Sequence, residues 1–190
     1  FPAAFDDCVA ATGWVFDNAT RLEIDPCRIV LAGDSAGGNL AAATCLARRD
    51  HGQAMPAGQV LIYPAFGGNR SRGSYLSRRN APGLTTADMD YYEQAYLGAD
   101  AQDNRSCKFF APLLEENFDG LPPAFLVACE WDPLRDDCFD YAHCLRTTGI
   151  TAQVRHEPEL VHACLRARHT SRAAEAMFRA IIGSISEMSQ

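Results

Sequence analysis

Ser35 is the residue whose surroundings first indicate chemistry. It lies in Gly33-Asp34-Ser35-Ala36-Gly37, after an apolar, β-branched run at 28–32 and before an Ala- and Leu-rich stretch. A G-x-S-x-G sequence between a strand and a helix is typical of a nucleophile elbow, a sharp turn that exposes a reactive serine. The small residues at 33 and 37 are predicted to leave room where strand and helix approach closely. The N–H of Ala36, at the start of the helix, is predicted to stabilise an oxyanion.

A serine nucleophile needs a base, and the base needs a carboxylate that fixes its tautomer. Asp132 follows an apolar strand pattern, and His162 lies between the last predicted strand and the last predicted helix. The order Ser, acid, His is the one expected after such an elbow. Glu130 is the rival acid. Asp136 and Asp137 fall in the first turn of the next helix, where a carboxylate interacts favourably with the helix dipole.

The other histidines are interpreted as exposed or structural, because each lies at the end of an element, inside a helix or at a helix cap. They are His51, His143, His156 and His169.

Composition narrows the class of protein. The chain has 190 residues, 47% of them hydrophobic, and a formal net charge of −7, so one domain with its own core is expected. The arginines form no basic stripe, and no apolar run reaches the roughly 18 residues of a membrane span. Nucleic acid and membranes are therefore disfavoured as partners. Eight cysteines without a C-x-x-C spacing favour free thiols and a reducing, cytoplasmic location, and they disfavour zinc. No cofactor or other metal is expected.

Alternating strand and helix patterns predict an α/β fold, a mostly parallel sheet with helices on both faces. The first helix is expected to pack on the sheet beside the elbow, and Thr85 or Thr86 to cap the helix that ends near residue 97. The predicted strands are 28–32, 59–63, 124–129 and 152–156, and the predicted helices are 1–19, 36–49, 86–97, 134–147 and 170–185.

Several segments also carry a family resemblance. The run from Gly33 to Ala41, Gly-Asp-Ser-Ala-Gly-Gly-Asn-Leu-Ala, resembles the nucleophile segment of the hormone-sensitive-lipase-like esterases, a branch of the α/β-hydrolase superfamily. Further segments fall in that family's order: Leu61-Ile62-Tyr63-Pro64, Leu121-Pro122-Pro123-Ala124, Asp132-Pro133-Leu134-Arg135-Asp136 and His162. The resemblance implies a serine carboxylester hydrolase that acts on short-chain or aryl esters through an acyl-enzyme. Ser35, Asp132 and His162 would form the triad.

The resemblance further implies that residues 66–120 are a cap-like insertion in a single domain, 1–190. The aromatic residues of this segment either line an acyl or alcohol pocket or form the core of the cap itself. They are Phe66, Tyr75, Tyr91, Tyr92, Tyr96, Phe109 and Phe110.

The chain departs from the family pattern in two places. No H-G-G-G-type sequence, which supplies further oxyanion donors, precedes Ser35, and Ala163-Cys164 stands where the family usually has Gly-Phe. Only 34 residues precede Ser35, so the resemblance implies the C-terminal portion of a longer hydrolase. Alone, the chain is expected to be a poor or inactive catalyst and marginally stable, with an apolar sheet edge. Upstream residues, a second copy in a homodimer or a disordered collapse would cover that edge.

Two other functions stay open on the same scaffold. The triad would serve an amidase, formamidase or lactonase equally well, because all are acyl transfers. A ligand-binding relative without catalysis is the other alternative. The gibberellin receptors resemble this family but lack the histidine, so His162 counts against that reading.

Overall fold

The computed structural model describes residues 1–98 and 104–190. Four strands form one sheet in the order β1-β2-β3-β4, and every neighbouring pair is parallel. The strands are β1 (Val30–Asp34), β2 (Gly58–Ile62), β3 (Ala124–Trp131) and β4 (Ala152–Val161). The helices are α1 (Ala3–Asp17), α2 (Ala36–Asp50), α3 (Ser74–Ser77), α4 (Thr86–Leu97), α5 (Arg135–Thr147) and α6 (Arg172–Met188).

Alternate side chains of the central strands point to opposite faces of the sheet, and each face is covered by helices. On one face Leu61 and Leu126 pack with α2 and α5. On the other face Val60 and Val127 pack with α6, where Met177 is fully buried. The predicted α/β architecture with helices on both faces is confirmed.

Helix α1 differs from its predicted placement. It lies on α2 rather than on the sheet, and Phe5 packs against Ala43 and Ala47. Helix α2 has apolar residues on both sides, because one side covers the sheet and the other covers α1. The prediction that α1 packs on the sheet beside the elbow is therefore wrong.

The edge strands have different bounds from the predicted ones. Arg28 lies in a 3-10 turn that Asp25 caps by accepting the Cys27 N–H at 2.9 Å, so β1 begins only at Val30. Strand β4 continues past His156 to Val161, through a stretch that contains Pro158. A proline is tolerated there because β4 is an edge strand and one side of it needs no ladder partner.

The segment between β2 and β3 contributes to the main core as well as to its own. Phe66 stacks on Tyr141 of α5 with ring centroids 4.3 Å apart. Helix α4 begins with a capping box, in which Thr85 Oγ1 accepts the Asp88 N–H and the Asp88 carboxylate accepts the Thr85 N–H. Of the two predicted caps, Thr85 is the one observed. The single domain and the cap at 66–120 stay predictions.

Candidate active site

Ser35 lies between β1 and α2 in a backbone conformation that few residues with a side chain adopt. Its φ is 56° and its ψ is −120°, which costs about 1–2 kcal/mol for a residue other than glycine. The Ser35 N–H donates to the Ile62 carbonyl at 2.9 Å, so the last ladder bond of the sheet holds the strained residue in place. The turn aims the hydroxyl beyond the carboxyl end of the strands.

Gly33 and Gly38 make the close approach between β1 and α2 possible. A Cβ at Gly33 would overlap the backbone of Gly37, and a Cβ at Gly38 would come within 2.9 Å of Pro64 Cβ. At Gly37 a Cβ would meet nothing within 4 Å. The prediction that Gly37 supplies room for packing is therefore wrong among the described residues, and Gly38 supplies it instead.

The structure brings Ser35, His162 and Asp132 together from the ends of three strands. Ser35 Oγ lies 2.9 Å from His162 Nε2, and His162 Nδ1 lies 2.7 Å from Asp132 Oδ2. A carboxylate can only accept, so Nδ1 carries the imidazole proton and Nε2 accepts from the serine hydroxyl. This is the tautomer in which a histidine can take a proton from serine.

Asp132 is fully buried, and both of its carboxylate oxygens are engaged. Oδ2 accepts from His162, while Oδ1 accepts the Leu134 N–H at 2.9 Å. A buried carboxylate needs such partners, because burial without them is costly. The backbone turn after β3 therefore fixes which oxygen faces the histidine.

The rival acid Glu130 lies elsewhere. Its carboxylate pairs with Arg78, with Arg135 at 2.9 Å and with His156 at 2.9 Å, and the Arg78 hydrogen bond is the leading cause that lowers the pKa of Glu130 to about 2. Glu130 is thus engaged by Arg78, Arg135 and His156, and none of these contacts involves Ser35.

Tyr63 is a site residue that sequence reasoning missed. It follows β2 with a φ of 38°, is almost fully buried, and packs its ring against the His162 imidazole at a centroid distance of 4.8 Å. Its hydroxyl donates to Asp34 Oδ2 at 3.3 Å, and burial raises the Tyr63 pKa, which keeps that donor protonated. The signal available was its position at the carboxyl end of a buried strand, where site residues of parallel sheets gather.

Asn39 is a second missed residue, and it joins α2 to the segment between β2 and β3. Its side-chain amide donates to the Ala65 carbonyl at 2.7 Å and to the Phe110 carbonyl at 2.8 Å. The same segment also reaches the base, because a Cβ at Gly83 would lie 3.0 Å from the His162 carbonyl oxygen. The walls beside Ser35 and His162 are therefore partly built by residues of the predicted cap.

Ala36 is the first residue of α2, so its N–H is one of the four at a helix start that have no acceptor within the helix. On the other side of the site, Ala163 follows the base in a left-handed conformation with a φ of 61°. A glycine, which the family usually has at this position, adopts that conformation without strain.

Neither a metal site nor a membrane span is found in the part of the chain that the structure describes. Residues 1–98 and 104–190 contain no group of three or more His, Cys, Asp or Glu arranged to hold a metal ion. Within the same residues, no helix has both the length and the apolarity to cross a bilayer.

An elbow serine facing a His–Asp pair beyond the carboxyl ends of a parallel sheet is the arrangement typical of α/β-hydrolases as a class. The family model described as alpha/beta hydrolase fold matches residues 1–166, and the chain belongs to this family. The resemblance identified from the sequence is confirmed.

Similar proteins include several esterases. The chain is 37% identical over 183 residues to carboxylesterase NlhH of Mycobacterium tuberculosis, covering 95% of this chain and 57% of that protein. It is 36% identical over 192 residues to an arylesterase of Saccharolobus solfataricus, covering 97% and 60%. Among solved structures, the hyperthermophilic esterase of Pyrobaculum calidifontis matches with a TM-score of 0.93 and 34% identity, covering all of this chain and 62% of that one. The chain thus spans between half and two thirds of the length of these relatives.

Proposed function

We propose that the chain carries the catalytic triad of a serine carboxylester hydrolase acting on small-molecule esters. The observation that carries the proposal is the 2.9 Å approach of Ser35 Oγ to His162 Nε2, with His162 Nδ1 bonded to Asp132. Names of the similar proteins, carboxylesterase and arylesterase, support the same activity.

In this mechanism Ser35 Oγ attacks the ester carbonyl carbon while His162 Nε2 takes the hydroxyl proton. Asp132 holds the imidazole in the required tautomer and stabilises its positive charge. The N–H of Ala36 donates to the oxyanion of the tetrahedral intermediate. His162 then gives the proton to the departing alcohol, leaving an acyl-serine. Water then attacks the acyl carbon while His162 Nε2 takes its proton, and the bond from that carbon to Ser35 Oγ breaks as His162 returns the proton to Oγ. The acid is released and the serine is restored.

The experiment uses an alkyl fluorophosphonate, which reacts with an activated serine, followed by peptide mass spectrometry. We expect the label on Ser35 in the parent chain and no label in Ser35→Ala. In His162→Ala, labelling should slow by at least about 100-fold, because the hydroxyl loses its base. Ser77→Ala, an exposed serine of α3, is the matched control. Labelling of Ser35 at the parent rate in His162→Ala would refute the proposal.

For the substrate, we propose short-chain or aryl esters, and p-nitrophenyl esters of rising acyl length beside an aryl formamide would test this. The triad needs no metal or cofactor to act. Faster turnover of the formamide would favour the amidase or formamidase alternative. An unlabelled parent chain that nevertheless binds small ligands would favour the non-catalytic one.

A further inference from the structure

Ser74 is a fully buried serine for which the proposed reaction has no use. It lies at the start of α3, in the segment between β2 and β3, and makes three hydrogen bonds to the chain that follows Asp132. Its hydroxyl donates to the Pro133 carbonyl at 2.7 Å and accepts the Asp136 N–H at 3.1 Å. Its own N–H donates to the Asp136 carboxylate at 2.8 Å.

The sheet does not fix this part of the chain. Strand β3 ends at Trp131, so Asp132 and Pro133 lie beyond the ladder of the sheet. Within the turn, the Leu134 N–H binds Asp132 Oδ1. Leu134 lies between the two groups that Ser74 holds, the carbonyl of Pro133 and the N–H of Asp136. Within the turn the Arg135 N–H also donates to the Asp132 carbonyl at 3.2 Å, so the two bonds from Ser74 add to the turn's own backbone bonds in placing the Leu134 N–H.

Ser74 is itself held firmly from the next residue. The Tyr75 hydroxyl donates to Asp137 Oδ2 at 2.9 Å, and the same oxygen accepts the Phe66 N–H at 2.8 Å. Asp137 lies in the first turn of α5 and is almost fully buried. The start of α3 is therefore fastened to α5 through Asp137 as well as to the Asp132 turn.

From these contacts we infer that Ser74 is a positioning residue, whose hydroxyl holds the turn at 132–136 so that Asp132 presents Oδ2 to His162. The inference rests on the proposed function, because it assigns Ser74 a part in preparing the base of that reaction. A small misplacement of such a partner is costly, since about 1 Å in a catalytic array can cost on the order of 100-fold in rate.

The test compares Ser74→Ala with Ser77→Ala, the matched exposed serine of the same helix. The first readout needs no substrate: the far-downfield proton NMR signal of His162 Nδ1–H in the resting protein. We expect Ser74→Ala to move this signal upfield or broaden it, and Ser77→Ala to leave it unchanged.

With an ester substrate, kcat should fall about ten-fold in Ser74→Ala while KM changes less than about two-fold. The acid limb of kcat/KM should move to lower pH, because a displaced Asp132 stabilises the imidazolium less. A role in packing alone would not move that limb.

Ser74→Thr and Ser74→Val form a second matched pair of the same branched shape, which separates the hydroxyl from packing if the alanine variant does not fold. The threonine variant should retain the parent signal and pH profile more closely than the valine variant. Identical signals and profiles in the two variants would overturn the inference. A parent chain that neither hydrolyses esters nor reacts with a fluorophosphonate would refute the proposed function, and the NMR comparison would still decide the role of Ser74.

Discussion

Asp137 offers a sharp test of how burial and hydrogen bonding compete in this fold. Its carboxylate is 1% exposed and accepts from the N–H groups of Phe66 and Gly68 and from the Tyr75 hydroxyl. Burial is the largest influence and raises the Asp137 pKa from 3.8 to about 7, while the three donors act in the opposite direction.

This rise has a definite sign for stability. Below about pH 4, Asp137 is protonated in both the folded and the unfolded chain, so its titration does not lower the free energy of unfolding. Between about pH 4 and 7 the unfolded chain releases the proton and the folded chain retains it, so the free energy of unfolding falls as pH rises. At about 1.36 kcal/mol for each pKa unit, the loss approaches about 4 kcal/mol at pH 7 and above.

The perturbation is Asp137→Asn, which keeps an oxygen to accept the three donors and removes the titration. Urea unfolding of parent and variant at pH 4.5, 5.5, 6.5 and 8 would give the difference in unfolding free energy. We expect the free energy of unfolding of the variant to rise relative to that of the parent as pH rises to about 7, and the difference between the two then to level off. Asp119→Asn, an exposed carboxylate, is the control, and its difference should vary much less with pH.

The charged groups near Asp137 are present in both the parent chain and Asp137→Asn, so their effects largely cancel in the difference between the two unfolding free energies. Asp136 lies in the first turn of α5 and Asp140 in the next turn, where it pairs with Arg72 at 2.9 Å. A difference that stays flat with pH would refute the reasoning. A variant that loses stability relative to the parent as pH rises would show that the three donors outweigh burial and that Asp137 is ionised in the fold.

Three further predictions concern the backbone of the site and its substrate. Gly33→Ala should cost about 3 kcal/mol or more in urea unfolding because its Cβ would overlap the backbone of Gly37, whereas Gly37→Ala should change stability by less than about 1 kcal/mol; equal losses would contradict this. Ala163→Gly should raise the free energy of unfolding by about 0.5 kcal/mol, and with it the melting temperature slightly. Glycine relieves the strain of a left-handed φ of 61° but loses more entropy on folding; a clear drop in melting temperature would show that the alanine methyl group packs favourably. Esters with roughly two to six acyl carbons should be turned over faster than long-chain emulsions in a chromogenic assay, and the reverse order would indicate a lipase.

The sequence was sufficient to predict the parts of the site that local pattern controls. A β-branched run before Gly33 and an Ala-rich run after Ser35 predicted the elbow, and both elements are present. Asp132 was placed at a strand end by the apolar run before it, and that strand is β3. His162 was placed after the last strand, although β4 proved five residues longer than its pattern indicated. These placements succeed because they require only that a strand ends near the residue.

Other site residues depend on partners far away in the sequence, and no local pattern reveals them. Tyr63 is 99 positions from His162, and Ser74 is 62 positions from Asp136. Gly38 needs its small size because of Pro64, which reaches it only after β2 has paired with β1. The two misplacements have the same origin. The sequence pattern places Gly37 against β1 and α1 against the sheet, because these are their neighbours along the chain. In the fold α1 packs on α2, and it is Gly38 that meets Pro64.

The three residues of the proposed triad differ in what holds them, and this difference locates the weakest point of the site. Ser35 is fixed by a ladder hydrogen bond to Ile62, and His162 follows directly after β4 with Tyr63 packed on its ring. Asp132 also follows directly after its strand, but its carboxylate accepts the Leu134 N–H of the turn at 132–136, which Ser74 holds from the segment between β2 and β3. Changes at Ser74 should therefore reach the reaction through the acid before they reach the nucleophile. Substitutions there should alter the pH dependence of the base even where they leave substrate contacts intact.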